Sequence, residues 1–228
     1  MDATIKSAQR VKKLEPDHIV CEPGEMGAVL ELILKKPDGT IRERRVMKSK
    51  SFLRQFLDLL MVQMGMVNEV AYSEIRDTGN TLRPIAFSSV NFAADALAND
   101  DDYGIVVGTG NTAPTIDDYA LETQIVDGVG AGQLQHGAVA YGLPTASATV
   151  SHFTITRDLS NASGGAITVN EIALYVKGQQ AWLCSYNDRD YNYTMIYYFM
   201  TIRDVVAGGI SIPNGDTLTA NYRIQATA

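Results

Sequence analysis

Thr217-Leu-Thr-Ala-Asn-Tyr-Arg-Ile-Gln-Ala226 decides the class of this fold. Leu218, Ala220, Tyr222 and Ile224 fall on one side of an extended chain, and Thr219, Asn221, Arg223 and Gln225 on the other. A period of two marks a half-buried β-strand, because successive side chains leave a strand on opposite faces. Ile172, Leu174 and Val176 repeat the pattern, as do Ile196, Tyr198, Met200 and Ile202. Outward from these, strands are expected at Pro84–Val90, Gly104–Gly108, Gln133–Tyr141, Ala148–Arg157, Ile167–Val176, Ala181–Tyr186, Met195–Arg203 and Thr217–Ala226. The breaks carry turn residues: 161–165, Lys177-Gly178-Gln179, Gly208-Gly209 and Pro213-Asn214-Gly215-Asp216, where Pro213 and Gly215 supply the turn geometry. Many short strands, turn-punctuated and without crossover helices, give a mainly β chain. The expected architecture is an antiparallel β-sandwich, jelly-roll or Ig-like.

The N-terminal part adds an elaboration. Residues 1–19 are polar and aperiodic and read as an extended arm; residues 20–80 read as a β-hairpin plus one α-helix, and 81–228 as the sandwich. Val29, Leu30, Leu32 and Leu34 lead into Pro37-Asp38-Gly39-Thr40, a turn with a return strand over Ile41–Lys48. Ser51 is placed to cap a helix in which Phe52, Phe56, Leu59, Leu60 and Met64 recur at spacings of three and four, stopped by Gly65. Leu53, Leu57 and Met61 widen that stripe, so cover on more than one side is expected, with Met61, Met64 and Met66 filling core.

Composition bounds the function. Hydrophobic content of 46% with 20% charged residues belongs to ordinary globular chains. No apolar run is long enough to span a bilayer and no basic-then-apolar leader opens the chain, so folding in the cytoplasm is expected. Cys21 and Cys184 lack metal-ligand spacing and read as inert thiols. Residues 1–50 carry eleven Lys and Arg against eight Asp and Glu, net +3; residues 51–228 carry eight against eighteen, net −10. An acidic body repels phosphates, which disfavours nucleic acid as its partner. The basic N-terminal part, with Arg42 and Arg44 on the return strand, suits docking on an acidic neighbour such as another copy of the chain.

Little chemistry stands out. Gly104-Ile-Val-Val-Gly-Thr-Gly-Asn-Thr-Ala-Pro114 lacks the lysine of a phosphate loop and the third glycine of a dinucleotide fingerprint, so Gly108 and Gly110 read as structural turn residues, at least one of them at positive φ. His18, His136 and His152 are isolated, and no nucleophile elbow occurs. The clusters 99–102 and 187–190 lack the calcium-loop pattern and read as solvated hairpin tips. A hydrolase would need Asp100–Asp102, or Asp188 and Asp190, to face another acid across a cleft. Neither a catalytic residue, a cofactor nor a metal is therefore expected. The stretch Tyr186, Tyr191, Tyr193, Tyr197, Tyr198 and Phe199 offers apolar area with polar tips; Tyr186, Tyr191 and Tyr193 around the 187–192 loop are interface candidates, while alternation sends half of the cluster to core.

Three stretches together resemble the virion structural proteins of tailed bacteriophages, the head, neck and tail accessory β-sandwiches. These are Lys48–Leu60; Gly104–Ile125, with its strand, Gly-Thr-Gly-x-Thr-x-Pro and Asp-Tyr-Ala-Leu; and the C-terminal pieces 168–175, 201–205 and 212–222. The order of the stretches carries the resemblance more than any one of them. It implies a non-enzymatic neck, tail or capsid accessory subunit, made in the host cytoplasm and ending in the virion. Such a subunit would work by contacts with copies of itself and with other virion proteins. The alternative is a receptor- or carbohydrate-binding module that takes a host surface glycan on its tyrosine-rich loop.

Overall fold

The computed structural model describes residues 26–49, 52–65, 75–83, 85, 91–186 and 189–227, with side chains described throughout these except over 180–194. In chain order the elements are β1 (Met26–Lys35), β2 (Ile41–Lys48), α1 (Arg54–Gly65), β3 (Ile75–Arg76), β4 (Leu82–Arg83), β5 (Gly104–Gly108), β6 (Gln135–His136), β7 (Ala140–Tyr141), β8 (Thr145–Ala146), β9 (Val150–Ser160), β10 (Ile167–Tyr186), β11 (Arg189–Ile212) and β12 (Thr217–Thr227). The chain is mainly β and antiparallel, with two principal sheets. The first runs β2-β1-β12-β9, with β6, β7 and β8 along the far side of β9; the second runs β11-β10-β5. A third pair, β3-β4, stands apart.

Alternation builds the space between the sheets. Ala28, Leu30, Leu32 and Leu34 of β1, Leu218, Ala220 and Tyr222 of β12, and Ile155 and Leu159 of β9 meet Ile172, Leu174, Val176, Ile202 and Ile210 of the second sheet in one cluster. The second sheet is buried on its other face as well. Ala173, Tyr175, Met200 and Val106 pack there against Ala96, Tyr103 and Leu121 from the loops flanking β5. Burial on both faces explains the unbroken apolar run Ile105-Val106-Val107, since a strand covered on two sides has no polar side to show.

The hairpin turn forms as its residues dictate: Gly39 has φ +80°, and its N–H donates to the Lys36 carbonyl at 2.9 Å. β1 then pairs with β12 across all ten of its residues, from Met26↔Ala226 to Lys35↔Thr217. Segment 20–80 thus contributes two strands to the same sheet as β9 and β12. The turn before β12 also matches its residues, with Gly215 at φ +88° and the Asp216 N–H donating to the Pro213 carbonyl at 3.0 Å.

Several sequence expectations are corrected. Lys177-Gly178-Gln179 is not a break, because β10 runs through it. Gly178 is needed because a Cβ there would lie 2.8 Å from the Phe199 ring on the neighbouring strand. Gly208-Gly209 does not end β11 either. Both take positive φ, +74° and +60°, in a bulge where the register jumps from Val169↔Ile210 to Glu171↔Val205. The expected strand Gln133–Tyr141 is two short pieces, β6 and β7, because the Gly137 carbonyl between them turns to the Arg157 side chain.

The helix buries Gln55, Leu59 and Val62; of the expected stripe Leu59 is buried and Phe52, Phe56 and Leu60 are half-buried, while Gln55 and Val62 were not in it. Leu57, Met61 and Met64 are exposed, Met64 at 76%, so Met61 and Met64 do not fill core. Ser51, Met66, the arm 1–19, His18, Cys21 and nearly all of Pro84–Val90 lie outside the described residues.

Candidate functional site

Gly104–Ile125, the stretch with the most motif-like sequence, folds around a buried ion pair. Glu171 enters from β10 and is fully buried. Its Oε1 accepts the N–H groups of Gly110 and Thr123, each at 3.0 Å, and its Oε2 accepts the Glu122 N–H at 3.2 Å. The Arg203 guanidinium of β11 reaches the same Oε2 through Nε at 3.0 Å and Nη2 at 2.8 Å. Arg203 also donates from Nη1 to Asp118 Oδ2 at 2.7 Å and from Nη2 to Thr112 Oγ1 at 3.3 Å. Burial would raise the Asp118 carboxyl, but hydrogen bonds from Thr115 and then Arg203 outweigh it and hold the group below the usual carboxylate range. Burial likewise opposes the Arg203 charge, and Glu171 and Asp118 more than offset it.

Glycine at 108 and 110 has a different cause from the expected one. Neither takes a positive φ. A Cβ on Gly108 would sit 2.5 Å from Glu171 Oε1 and from the Thr123 carbonyl, and one on Gly110 would strike the Glu122 Cβ and lie 2.5 Å from Glu171 Oε1. The backbone must approach the carboxylate closely, and only glycine permits that. Glu122 Oε2 accepts the N–H groups of Asn111 at 3.0 Å and Thr112 at 3.2 Å. In the turn that resembles an anion cradle, the N–H groups of Gly110, Asn111 and Thr112 therefore already meet carboxylates of this chain, and that of Thr109 meets the Thr123 carbonyl at 2.9 Å. Asp118 comes from the second of the stretches that carry the phage resemblance, Glu171 and Arg203 from two pieces of the third, and the fold brings them together.

A second buried cation does the reverse job. Arg157 of β9 is wholly buried and donates to the carbonyls of Gly137 at 2.8 Å, Ile105 at 3.0 Å, Tyr103 at 3.1 Å and Leu97 at 3.3 Å, and to that of Asp100. Burial lowers its basicity, and Asp100, Asp101 and Asp127 counter that. The 99–102 cluster is accordingly built into the loop: Asp101 Oδ2 accepts the Asp127 N–H at 2.6 Å, and Asp100 Oδ1 accepts the Asp102 N–H at 3.0 Å. It is not a bare solvated tip. His136, beside it, is buried with Nδ1 3.0 Å from the Leu134 carbonyl and 3.6 Å from Asp127 Oδ1. Burial first, then Arg157, keeps its imidazole below the ordinary histidine range. His152 lies on the surface against Thr145 Oγ1. Among the described residues no three His, Cys, Asp or Glu converge in a way that could hold a metal ion. No described helix is long and apolar enough to cross a membrane.

Arg42 and Arg44, both interface candidates, are tied to this chain: Arg42 Nε to Asp216 Oδ2 at 2.7 Å and Arg44 Nε to Glu31 Oε1 at 2.6 Å. Two pockets remain. One, about 330 Å³, opens between the sheets beside α1 and is lined by Met26, Phe52, Phe56, Phe92, Phe153 and Ile224 among other apolar groups. The other, about 380 Å³, is polar, with Arg54, Asp58, Arg76 and Asp117 on its wall.

The tyrosine-rich segment lies on a long two-stranded ribbon. β5 pairs with β10 only over 171–175, yet β10 and β11 stay paired to Tyr186↔Arg189. The expected 187–192 loop is thus shorter, with pairing up to Arg189. Cα register puts Gly178↔Tyr197, Gln180↔Met195, Trp182↔Tyr193, Cys184↔Tyr191 and Tyr186↔Arg189 at positions of one face, so Tyr186, Tyr191 and Tyr193 share it with Trp182. The side chains of these three tyrosines and of Cys184 lie outside those described. No family profile, curated protein or solved structure matches the chain.

Proposed function

We propose that this chain is a non-enzymatic structural subunit of a tailed-phage particle, of the neck, tail or capsid accessory kind, working through protein–protein contacts. The observation that carries this reading is the ribbon. Nine residue pairs from Gly178↔Tyr197 to Tyr186↔Arg189 extend beyond the three-stranded part of the sheet, a length of about 30 Å at the usual rise per residue. A two-stranded ribbon is at best marginally stable alone in water. One that gathers Trp182, Tyr186, Tyr191, Tyr193 and Tyr197 at positions of one face gains most from a partner laid against it. The phage resemblance adds the class of assembly. The loops over the sandwich, held by Glu171, Arg203 and Arg157, would form a firm base for such an arm.

Particles released from an induced culture carrying the gene, purified on a density gradient and probed with an antibody to the chain, test this. The chain is expected to sediment with intact particles; its confinement to the soluble fraction would overturn the proposal. The same face favours a second reading, a glycan-binding module, since sugars stack on aromatic side chains. A glycan array separates the two: specific binding lost in Trp182→Ala supports the binding module.

A further inference from the structure

The two principal sheets end on strands of opposite character. The first ends on β2, where Arg42, Glu43, Arg44, Arg45 and Lys48 make five of eight residues charged. Charge on an edge strand discourages pairing with another chain. The second ends on β11, and from Tyr191 to Ile202 that strand has no charged residue, proline or glycine. Part of its outer edge is covered: Tyr198 O accepts the Thr78 N–H and Thr201 O the Leu53 N–H, both at 2.9 Å, and Phe52 bridges Ile202. Over Arg189–Tyr197 no such bond is made among the described residues. At the base of this stretch Met195 and Ile196 are 47% and 46% exposed. One edge is defended and the other, over Arg189–Tyr197, is open among the described residues.

We propose that the β11 edge over Arg189–Tyr197 pairs antiparallel with the same edge of a second copy of this chain, joining two three-stranded sheets into one of six strands. The inference rests on the reading of the chain as an assembly subunit and names the partner of its ribbon. Charge selects the partner. Residues 51–228 carry net −10, so two copies repel over most of their surfaces, whereas between Gly178 and Tyr197 the only charges are Asp188, Arg189 and Asp190. A basic partner would be drawn to the acidic body instead. Self-pairing about a two-fold axis is isologous, each contact occurring twice. With Tyr193 on the axis, Asn192 faces Thr194, Tyr191 faces Met195, Asp190 faces Ile196 and Arg189 faces Tyr197. No like charges stand opposite one another in this register, the arrangement that would otherwise destabilise a strand pair.

The register makes the test specific. Ile196→Asp sets a carboxylate opposite Asp190 twice per dimer, while Ile196→Lys sets an ammonium there. The full chain, followed by sedimentation velocity from micromolar to hundreds of micromolar, is expected to dimerise. Ile196→Asp should weaken the dimer by about tenfold or more, and Ile196→Lys should retain it. In the wild type, amide exchange over 189–197 should slow as concentration rises. A wild-type monomer throughout that range would overturn the pairing, as would a dimer indifferent to Ile196→Asp, or equal loss with either charge. If Ile196→Asp fails to fold, the exchange measurement decides, and unchanged exchange at 189–197 overturns the proposal. A monomer still found in particles refutes this pairing alone, and a dimer absent from particles refutes the virion reading alone.

Discussion

Glu171→Gln changes one buried oxygen to an amide and should cost more than any surface substitution in the molecule. The carboxylate collects N–H groups from Gly110, Glu122 and Thr123 together with two donors of Arg203. With glutamine, the new NH2 faces groups that are all donors, so no orientation of the amide satisfies them. Arg203 loses its buried counter-charge but keeps Asp118 at 2.7 Å. Breaking a buried pair by removing one partner costs about 3–5 kcal/mol, and in a chain of this size each kcal/mol lowers Tm by about 2–4 °C, so a fall of about 6–20 °C is expected. Circular dichroism melts and urea titrations read the loss. Combination with Arg203→Met should be markedly less than additive, because the two groups act on one another. A loss below about 1 kcal/mol in Glu171→Gln would refute the reasoning, since a group so replaceable is not the acceptor on which the loop depends.

The other predictions are shorter. Gly110→Ala should destabilise by about 1–3 kcal/mol through overpacking against Glu122 and Glu171, without any nucleotide-dependent shift in Tm; millimolar ATP raising Tm in the wild type and not in the variant would restore the phosphate-cradle reading. His136 is held neutral, with its folded pKa below the unfolded value of about 6.5, so the unfolded chain binds the proton more readily and stability should fall as pH drops below about 6.5. Urea midpoints compared at pH 7.5 and 5.5 (about one unit either side) should show that fall reduced in His136→Gln, and an equal fall in both proteins would clear His136. Phe56, half-buried with its ring 4.6 Å from that of Phe52, should cost about 1–3 kcal/mol as Phe56→Ala. Met64→Ala should stay within about 0.5 kcal/mol by the same melts, and a larger loss would mean that Met64 is covered.

The strands were legible wherever apolar and polar residues alternate, even where, as in β12, the polar Thr219, Arg223 and Gln225 are themselves buried. β12 was expected at Thr217–Ala226 and spans Thr217–Thr227, because its alternation is unbroken. Gly178 misled because glycine signals both a turn and a close approach, and only the Phe199 ring across the ladder tells which. The helix face was legible only in part, since apolar residues lie almost all round it: Leu59 is buried as its spacing implies, whereas Gln55 is buried because its Nε2 donates to the Asp118 carbonyl at 3.0 Å. Arg42 and Arg44 announced charge but not destination: Asp216 reaches Arg42 only through the β1–β12 pairing. For the Glu171–Arg203 clamp a signal existed, namely an acid and a base within apolar strands. Their diagonal positions, Glu171↔Val205 beside Ala173↔Arg203, became readable only with the register.

The two clamps answer one problem with opposite charges. The loops around β5 leave the sheet ladder, so their backbone groups need partners in a place water does not reach. N–H groups gather on the Glu171 carboxylate, and carbonyls gather on the Arg157 guanidinium. A buried ion pair can often be replaced by well-packed hydrophobic residues with no loss. Here it cannot, because leucine at 171 would leave the N–H groups of Gly110, Glu122 and Thr123 without acceptors, each costing about 1–3 kcal/mol. The charges serve the backbone first and each other second. They commit the strongest polar groups of the sandwich to holding its loops, which leaves the ribbon beyond Lys177, charged only near its tip, as the part of the second sheet whose outer β11 edge this chain does not itself pair among the described residues.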